Sequence, residues 1–454
     1  MSKPLHIIIL AAGAGTRMKS RVPKVLQTVG GSALIIHVLD TALQLEPAGI
    51  HVVFNPAVPQ LQAACDDYDI TWAAQAEQLG TGHAVQQAMP GIPNGAEVLV
   101  LYGDIPLLEV SVLENMIVSG SAGIKVLTMN VPDPTGYGRI VRNESGSVVG
   151  IVEERDASDA QKAITEVNSG IILAQHSTLS SCLEDLASDN SQNEYYLTDV
   201  IAIANSKGIQ ASGVVAPIAA DLEGANDRIQ LAALEQRYRM KKSTELMQAG
   251  VQLADPERVD VRGTVVAGSD VFIDINVILE GDISLGDDVQ IGPGCVLKNC
   301  QLAAGTRVHA YSVLEGMRSL GACEIGPFAR VRPGTELDSG SKVGNFVEIK
   351  NTTLGKNSKA SHLSYLGDSS IGEGVNIGAG TITCNYDGVN KHRTVIEDNV
   401  FIGSDTQLVA PVTIGEGADI GAGSTVTKDA PAGKLTLSRS KQVTIPGWKR
   451  PVKK

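Results

Sequence analysis

Read at every sixth residue, the second half of this chain is aliphatic. Ile402, Leu408, Ile414, Ile420 and Val426 form one run, Ile273, Leu279, Leu285, Ile291 and Leu297 another, and Ile325, Val331, Leu337, Val343 and Ile349 a third, continued by Ile371 and Ile377. Gly403, Gly415 and Gly421 each follow a ladder residue. A period of six fits neither the 3.6 of a helix nor the alternation of a half-buried strand. Sustained across so much chain, it is a repeat. It predicts a solenoid in which each hexad makes one flat side and one corner, with the large aliphatic residue inward and the neighbouring glycine permitting the tight corner. Each inward side chain contributes roughly 1.5–3 kcal/mol of gross burial. One coil cannot cover its own edges, so many must stack. A β-sandwich would space its turn signals by about 8–12 residues instead. Spacing alone does not fix the handedness, and general physics favours right-handed crossovers.

With 454 residues the chain exceeds one ordinary domain. Aromatics are only 4 % and glycines number 48, which suits stacked coils. A net charge of −13 argues against nucleic acid as a partner. The six cysteines form no CxxC pair and no zinc spacing, and read as reduced thiols of a cytoplasmic protein. The apolar run Ile7–Leu10 is too short for a signal peptide, and no stretch is long enough for membrane insertion. The basic end, Lys449 to Lys454, reads as a solvated tail.

In the first half, His6–Leu10 reads as a buried strand that runs into Ala11-Ala12-Gly13-Ala-Gly15-Thr-Arg17-Met18, with Pro23-Lys24 close behind. Glycine turns after a first strand bring backbone N–H groups to phosphate oxygens, and two nearby cations suit a triphosphate. Neither the G-x-G-x-x-G fingerprint nor the P-loop pattern is present. Gln75-Ala-Glu-Gln-Leu-Gly80-Thr81 precedes an Ala84–Met89 helical segment, and Thr81 is open to two readings, ligand contact or helix N-cap. Val98–Tyr102 is a second buried strand ending in Gly103-Asp104, a place where α/β sheets bind ligands. From Asp227 to about Gly250, helix formers without apolar continuity predict a mostly exposed helix, ended by Asp255-Pro256.

The Leu10-to-Lys24 run resembles the nucleotidylyltransferases that join a sugar 1-phosphate to a nucleoside triphosphate. The resemblance implies that Leu10, Ala11, Ala12, Gly13, Lys24, Gln75, Gly80, Thr81, Tyr102, Gly103 and Asp104 meet the nucleotide, with Arg17 as a catalytic residue. It implies that Gly138, Glu153 and Asn168 grip the sugar, and that Asp104 with Asn226 holds Mg²⁺ through oxygen. Asn168-Ser169-Gly170 stands where the family pattern has Asn-Thr-Gly. The second half resembles the hexapeptide-repeat acyltransferases, whose fold is a left-handed parallel β-helix, usually trimeric.

The ladder carries Arg332, Lys350, His362, Tyr365 and Asn376, then breaks for a loop at Asn385-Tyr386-Asp387-Gly388 before resuming at Ile402. Taken alone, His362 is an exposed coil residue or a base. Together with its neighbours, it makes the whole chain similar to the bacterial bifunctional N-acetylglucosamine-1-phosphate uridylyltransferases/glucosamine-1-phosphate acetyltransferases. That resemblance implies an α/β, Rossmann-like nucleotidylyltransferase domain over 1–227, a helical linker over 228–250, and an all-β left-handed parallel β-helix over 251–454. It implies acetylation of glucosamine 1-phosphate by acetyl-CoA, with His362 as base, Arg332, Lys350, Tyr365 and Asn376 on the amino sugar, and Ala379, Asn385, Tyr386, Ser404, Ala422 and Arg439 on the coenzyme. Uridylyl transfer from UTP to N-acetylglucosamine 1-phosphate would follow, in a homotrimer. The alternative is a pyrophosphorylase with one activity and a structural or regulatory β-helix.

Overall fold

A computed structural model describes residues 3–13, 15–119 and 123–453. Ala14 of the glycine turn lies outside them. The chain divides into two compact units between Tyr238 and Arg239.

The first unit is built on a nine-stranded sheet. Its strands are β1 (Leu5–Leu10), β2 (Gly49–Phe54), β3 (Thr71–Ala74), β4 (Glu97–Tyr102), β5 (Ile124–Asn130), β6 (Arg139–Arg142), β7 (Val148–Val152), β8 (Glu166–Gln175) and β9 (Ala211–Val215). The spatial order is β3-β2-β1-β4-β8-β5-β9-β7-β6. β1 lies between β2 and β4, parallel to both, so Ile7, Ile8 and Ile9 are fully buried from both faces. β8 runs antiparallel to β4 and β5 and bulges between Asn168 and Ile172. The chain ends of β1 and β4 fall side by side, with the Gly103 N–H donating to the Leu10 carbonyl at 3.0 Å. This brings the Ala11–Gly13 turn and Asp104 together.

The helix Arg228–Gln248 occupies the composition shift. Asp227 Oδ1 caps it by accepting from the N–H groups of Ile229 and Gln230. Asp255-Pro256 does not end it. Gly250, at φ 97, does. The Gly250 N–H donates to the Met247 carbonyl and the Val251 N–H to the Leu246 carbonyl, the paired bonds of a Schellman stop.

The second unit is a three-sided parallel β-helix. One face is an eleven-stranded parallel sheet, and the other two share a seventeen-stranded set. Every ladder residue predicted above is buried inside it. Successive coils put Ile273 beside Ile291, Ile291 beside Val308, Ile325 beside Val343 and Ile377 beside Ile402. The first and third of these steps are three full hexads. The second is one residue short, and the fourth carries the extra loop. The corner geometry differs from the expectation. Gly403 and Gly415 do not sit at positive φ. They are glycines because a Cβ would strike the backbone of the next coil, at Ala422 N (2.5 Å) and Ala432 N (2.6 Å). The left-handed corner falls elsewhere, at residues such as Asn399, Asp405, Gly417 and Gly423.

Candidate functional sites

In the first unit a cleft of about 250 Å³ opens beyond the ends of β1 and β4. Leu10, Ala11, Ala12, Gly13, Lys24, Gln75, Gly80, Thr81, Tyr102 and Asp104 line it. Gln78, Glu194, Val25 and Ala84 line it too and were not among the expected contacts. Gln78 Nε2 donates to the Ala12 carbonyl at 2.7 Å and ties the glycine turn to the Gln75–Thr81 loop. Gln75 Nε2 holds that loop from beneath through the Gly80 carbonyl at 3.1 Å.

Thr81 is not an N-cap. It is the first residue of the helix Thr81–Ala88, and Gly80 stands at the cap position without a side-chain bond. The Thr81 hydroxyl instead accepts from the Leu197 N–H at 3.0 Å and bonds the Tyr102 hydroxyl. Gly15 needs to be glycine: its φ is 57, and a Cβ would stand 2.7 Å from Lys24 Cβ. The missing Cβ leaves room for Lys24 to pack against the turn.

Four groups converge at the mouth of the cleft. Lys24 Nζ donates to Asp104 Oδ2 at 2.6 Å and reaches Asn226 Oδ1 at 3.4 Å. Arg17 Nη2 donates to the same Asn226 oxygen at 3.1 Å. Asp104 is only 8 % exposed, and Gly224 backs onto its carboxylate where any Cβ would stand 2.8 Å from Oδ2. Two hard oxygens thus converge on one ammonium, and the same pair of oxygens could hold a metal cation. Among the described residues no cluster of three or more His, Cys, Asp or Glu side chains could hold a metal. An ion here would complete its shell with water and phosphate oxygens, the habit of Mg²⁺.

Gly138, Glu153 and Asn168 gather across Tyr102. The Asn168 N–H donates to the Gly138 carbonyl at 2.8 Å. Gly138 adjoins the Glu153 carboxylate, and Gly170 lies flat against the Tyr102 ring. Burial pushes the Glu153 carboxyl up, and the Thr198 hydroxyl that donates to it offsets this only in part. Burial, then the Glu153 and Asp104 carboxylates, push the Tyr102 phenol up. The Ser169 hydroxyl donates to the Leu127 carbonyl at 2.7 Å, so it braces the bulge. The guanidinium of Arg139, 1 % exposed, ties the Tyr137 and Lys162 carbonyls to Glu154 beneath this cluster.

In the second unit Arg332 and Lys350 sit on adjacent coils, the register running Val331 to Ile349. Arg332 pairs with Glu348 at 2.9 Å, both well exposed, so the pair itself stabilises little. Lys391, which sequence reading missed, comes in from the loop. Its ammonium at hydrogen-bonding distance pushes the Lys350 amine down, and Arg332 adds to the effect. Burial alone would raise the carboxyl of Asp368. The amides of Asn351 and Asn385 donating to it, with Lys391 and Lys350 beside it, carry it below its ordinary value. Asn385 is thereby fixed at the root of the loop, while Tyr386 is exposed and donates to the Gly388 carbonyl at 2.5 Å.

His362 is exposed at the end of the strand Lys359–His362, and its Nδ1 lies 2.6 Å from Asn345 Oδ1. Tyr365 leaves the coil just beyond it, on the strand Tyr365–Gly367. Asn376 stacks between Lys359 and Phe401 on the eleven-stranded face. Ala379, Ser404 and Ala422 follow the ladder residues Ile377, Ile402 and Ile420 at equal distance and so stack on one corner. Arg439 Nη1 donates to the Ala422 carbonyl at 2.8 Å.

A nucleotide-sized cleft at the ends of parallel strands, followed by stacked hexads, defines a two-domain transferase. Residues 7–137 match the MobA-like NTP transferase domain family, and residues 265–299 and 393–428 match the bacterial transferase hexapeptide family. The β-helix is therefore of the left-handed hexapeptide kind. Over 451 residues, 99 % of this chain and 97 % of the relative, the sequence is 52 % identical to the bifunctional protein GlmU of Alkalilimnicola ehrlichii. The chain belongs to the GlmU family. As a member it is a bifunctional enzyme, with acetyl transfer to glucosamine 1-phosphate in the repeat domain and uridylyl transfer to the acetylated product in the first. The alternative with a single activity is set aside.

Proposed function

We propose that the Arg17–Lys24–Asp104–Asn226 cluster is the uridylyl-transfer centre and that Arg332, Lys350, Lys391 and His362 form the acetyl-transfer centre. The observation that carries the first is Lys24 bridging Asp104 and Asn226 at the mouth of the cleft. Residues 1–227 and 251–454 serve as the two catalytic domains, with 228–250 as linker.

In the first reaction a phosphate oxygen of N-acetylglucosamine 1-phosphate attacks the α-phosphorus of UTP and pyrophosphate leaves. The attacking oxygen is already anionic, so no general base is required. Positioning and charge neutralisation carry the step. The Ala11–Gly13 turn and Gly103 approach the nucleotide with backbone, Gln75 and Gly80 shape the base pocket, and Thr81 orients Tyr102. Arg17 and Lys24 take the triphosphate charge. Gly138, Glu153 and Asn168 hold the sugar. Asp104 and Asn226 would hold Mg²⁺, which supplies further neutralisation when bound.

In the second reaction the amine of glucosamine 1-phosphate attacks the thioester carbonyl of acetyl-CoA. His362 takes the amine proton as the C–N bond forms, and passes it to the departing thiolate. Arg332, Lys350 and Lys391 meet the sugar phosphate, with Tyr365 and Asn376 orienting the ring. Asn385, Tyr386, Ala379, Ala422 and Arg439 line the coenzyme side. The Ser404 hydroxyl or a backbone N–H stabilises the oxyanion.

The active form is a homotrimer. Tyr311, Phe328 and Phe346 stack in the open, with ring centroids 5.4 and 5.3 Å apart, and exposed Leu363 lies one coil further on. Such an apolar edge calls for a cover, and light scattering tests for it. We place the enzyme in the cytoplasm, where its six free thiols stay reduced. Among the described residues no helix is long and apolar enough to cross a membrane.

The deciding experiment supplies glucosamine 1-phosphate, acetyl-CoA, UTP and Mg²⁺ and looks for UDP-N-acetylglucosamine. His362→Ala lowers acetyl-transfer kcat by about 10²-fold or more and leaves uridylyl transfer intact. Wild-type acetyl turnover in that variant removes His362 from the role.

A further inference from the structure

We propose that Asn345 is a positioning residue for acetyl transfer: its side-chain oxygen accepts the Nδ1 proton of His362, leaving Nε2 as the lone pair that receives the substrate proton. The inference rests on the reading of His362 as the base. The two side chains meet at 2.6 Å.

Their meeting follows from the repeat. Two residues beyond the ladder positions Val343, Ala360, Ile377, Ile402 and Ile420 stand Asn345, His362, Ala379, Ser404 and Ala422. These form one column up a corner of the prism. Asn345 and His362 are register partners on successive coils. Each is followed by a residue in the left-handed corner, Phe346 at φ 58 and Leu363 at φ 50. The Leu363 N–H donates to the Asn345 carbonyl at 3.1 Å. The two side chains therefore leave their coils at the same point of the turn. Gly344 keeps the coils close there, because a Cβ would strike the Ser361 carbonyl. On the other side of His362 the column offers Ala379, a methyl with nothing to donate or accept.

An amide oxygen only accepts. Facing Nδ1, it requires the proton on Nδ1 in the neutral ring and the lone pair on Nε2. Rotating the amide to present its NH₂ would select the other tautomer and block the reaction, so the amide orientation is part of the claim. A neutral acceptor also differs from a carboxylate in one useful respect. It orients the ring without favouring imidazolium before substrate arrives. As the amine nitrogen bonds the acetyl carbon and the C–S bond breaks, the amine proton moves to Nε2 and then to the CoA sulfur. Nδ1–H stays on Asn345 throughout.

The test compares full-length Asn345→Ala, Asn345→Asp, His362→Ala and the Asn345→Ala/His362→Ala double variant. CoA thiol release reads one site and pyrophosphate release the other. Asn345→Ala is expected to lower acetyl-transfer kcat about tenfold or more, with KM for both substrates and uridylyl transfer unmoved. Asn345→Asp keeps an acceptor, so it recovers most of the lost kcat at alkaline pH. Its carboxylate favours imidazolium, so the acid limb of the pH profile moves to higher pH. The double variant loses no more than His362→Ala alone, since Asn345 acts through the imidazole. Wild-type kcat in Asn345→Ala beside a crippled His362→Ala overturns this inference and spares the base reading. Wild-type turnover in His362→Ala overturns both. A raised KM together with impaired uridylyl transfer in Asn345→Ala marks a merely structural residue and also overturns it.

Discussion

Asp104→Asn separates charge from shape at the first site. The substitution keeps an oxygen for Lys24 and fits the space beside Gly224. At 2.6 Å the Lys24–Asp104 attraction is roughly 6 kcal/mol gross for an effective dielectric of about 20. The side chains are 19 % and 11 % exposed. Desolvation and screening therefore reduce the net contribution to folding to about 1–3 kcal/mol. The unliganded domain should lose stability by that amount and remain folded. Catalysis should suffer more. A carboxylate that helps hold a divalent ion is asked for several kcal/mol of transition-state stabilisation, and about 1.4 kcal/mol is a tenfold change in rate. We expect uridylyl-transfer kcat to fall by about 10²–10⁴-fold. KM for UTP should not rise, because a negative charge has been removed from the path of an anion. Pyrophosphate release measures this, and thiol release from acetyl-CoA in the same preparation is the control. Equal loss of both activities, or a kcat above half of wild type, would refute the reasoning.

Lys391→Ala should raise KM for glucosamine 1-phosphate about tenfold, the size of one partly exposed charge-assisted bond, while kcat holds; an unchanged KM would remove Lys391 from the site. Burial, followed by neighbouring like charge, pushes the His6 and His51 imidazoles down, and their rings share a 3.1 Å hydrogen bond. Both are therefore held neutral in the fold, and their stabilisation is present above their ordinary pKa near 6.5 and lost as pH falls below it. Urea unfolding followed by Trp72 fluorescence should show a lower midpoint at pH ~5.5 than at pH ~7.5, with His51→Gln flattening the difference; a pH-independent wild-type midpoint would count against it. Leu297, fully buried between Leu279 and Leu314, should cost about 3–5 kcal/mol as Leu297→Ala, seen as a lower denaturation midpoint for loss of acetyl transfer; a shift under about 1 kcal/mol would mean the coil collapses around the gap.

The solenoid was legible because its period is dictated by one inward residue per flat side. It was legible only in three separate runs, and the coil lengths explain why. Between Leu297 and Ile325 the inward residues are Leu302, Val308, Leu314 and Ser319, so five-residue sides replace six-residue ones at two corners and the phase slips. At Ala360 the inward residue is simply small. The glycine turn, Lys24 and Asp104 were legible because chain-local chemistry announces them. Gln78, Glu194, Lys391 and Asn345 were not. Each is an ordinary polar residue until the fold carries it to a partner distant in sequence, as the 17-residue step from Asn345 to His362 does. Thr81 shows the converse, since a hydroxyl before a helix looks like a cap until Leu197 is seen to use it.

The two sites hold their cations in opposite ways, and this bears on what each awaits. At the first, Lys24 is already matched by Asp104 and by Asn226. On the proposed reading, a triphosphate bound there would make Lys24 exchange one oxygen for another and would free two oxygens that a divalent ion suits. At the second, Lys350 faces Lys391 with Arg332 on the adjacent coil. Glu348 answers only Arg332, and the Asp368 carboxylate beside Lys350 is already engaged by Asn351 and Asn385. Like charges held this close are costly until an anion enters between them. The phosphate of the amino sugar would relieve that repulsion, and the dianion would be gripped by the coil on one side and by the loop on the other. Binding at the first site would thus be an exchange of partners, with salt dependence softened by the ion pair it breaks. Binding at the second is the neutralisation of a standing excess charge, and its KM should climb more steeply with ionic strength.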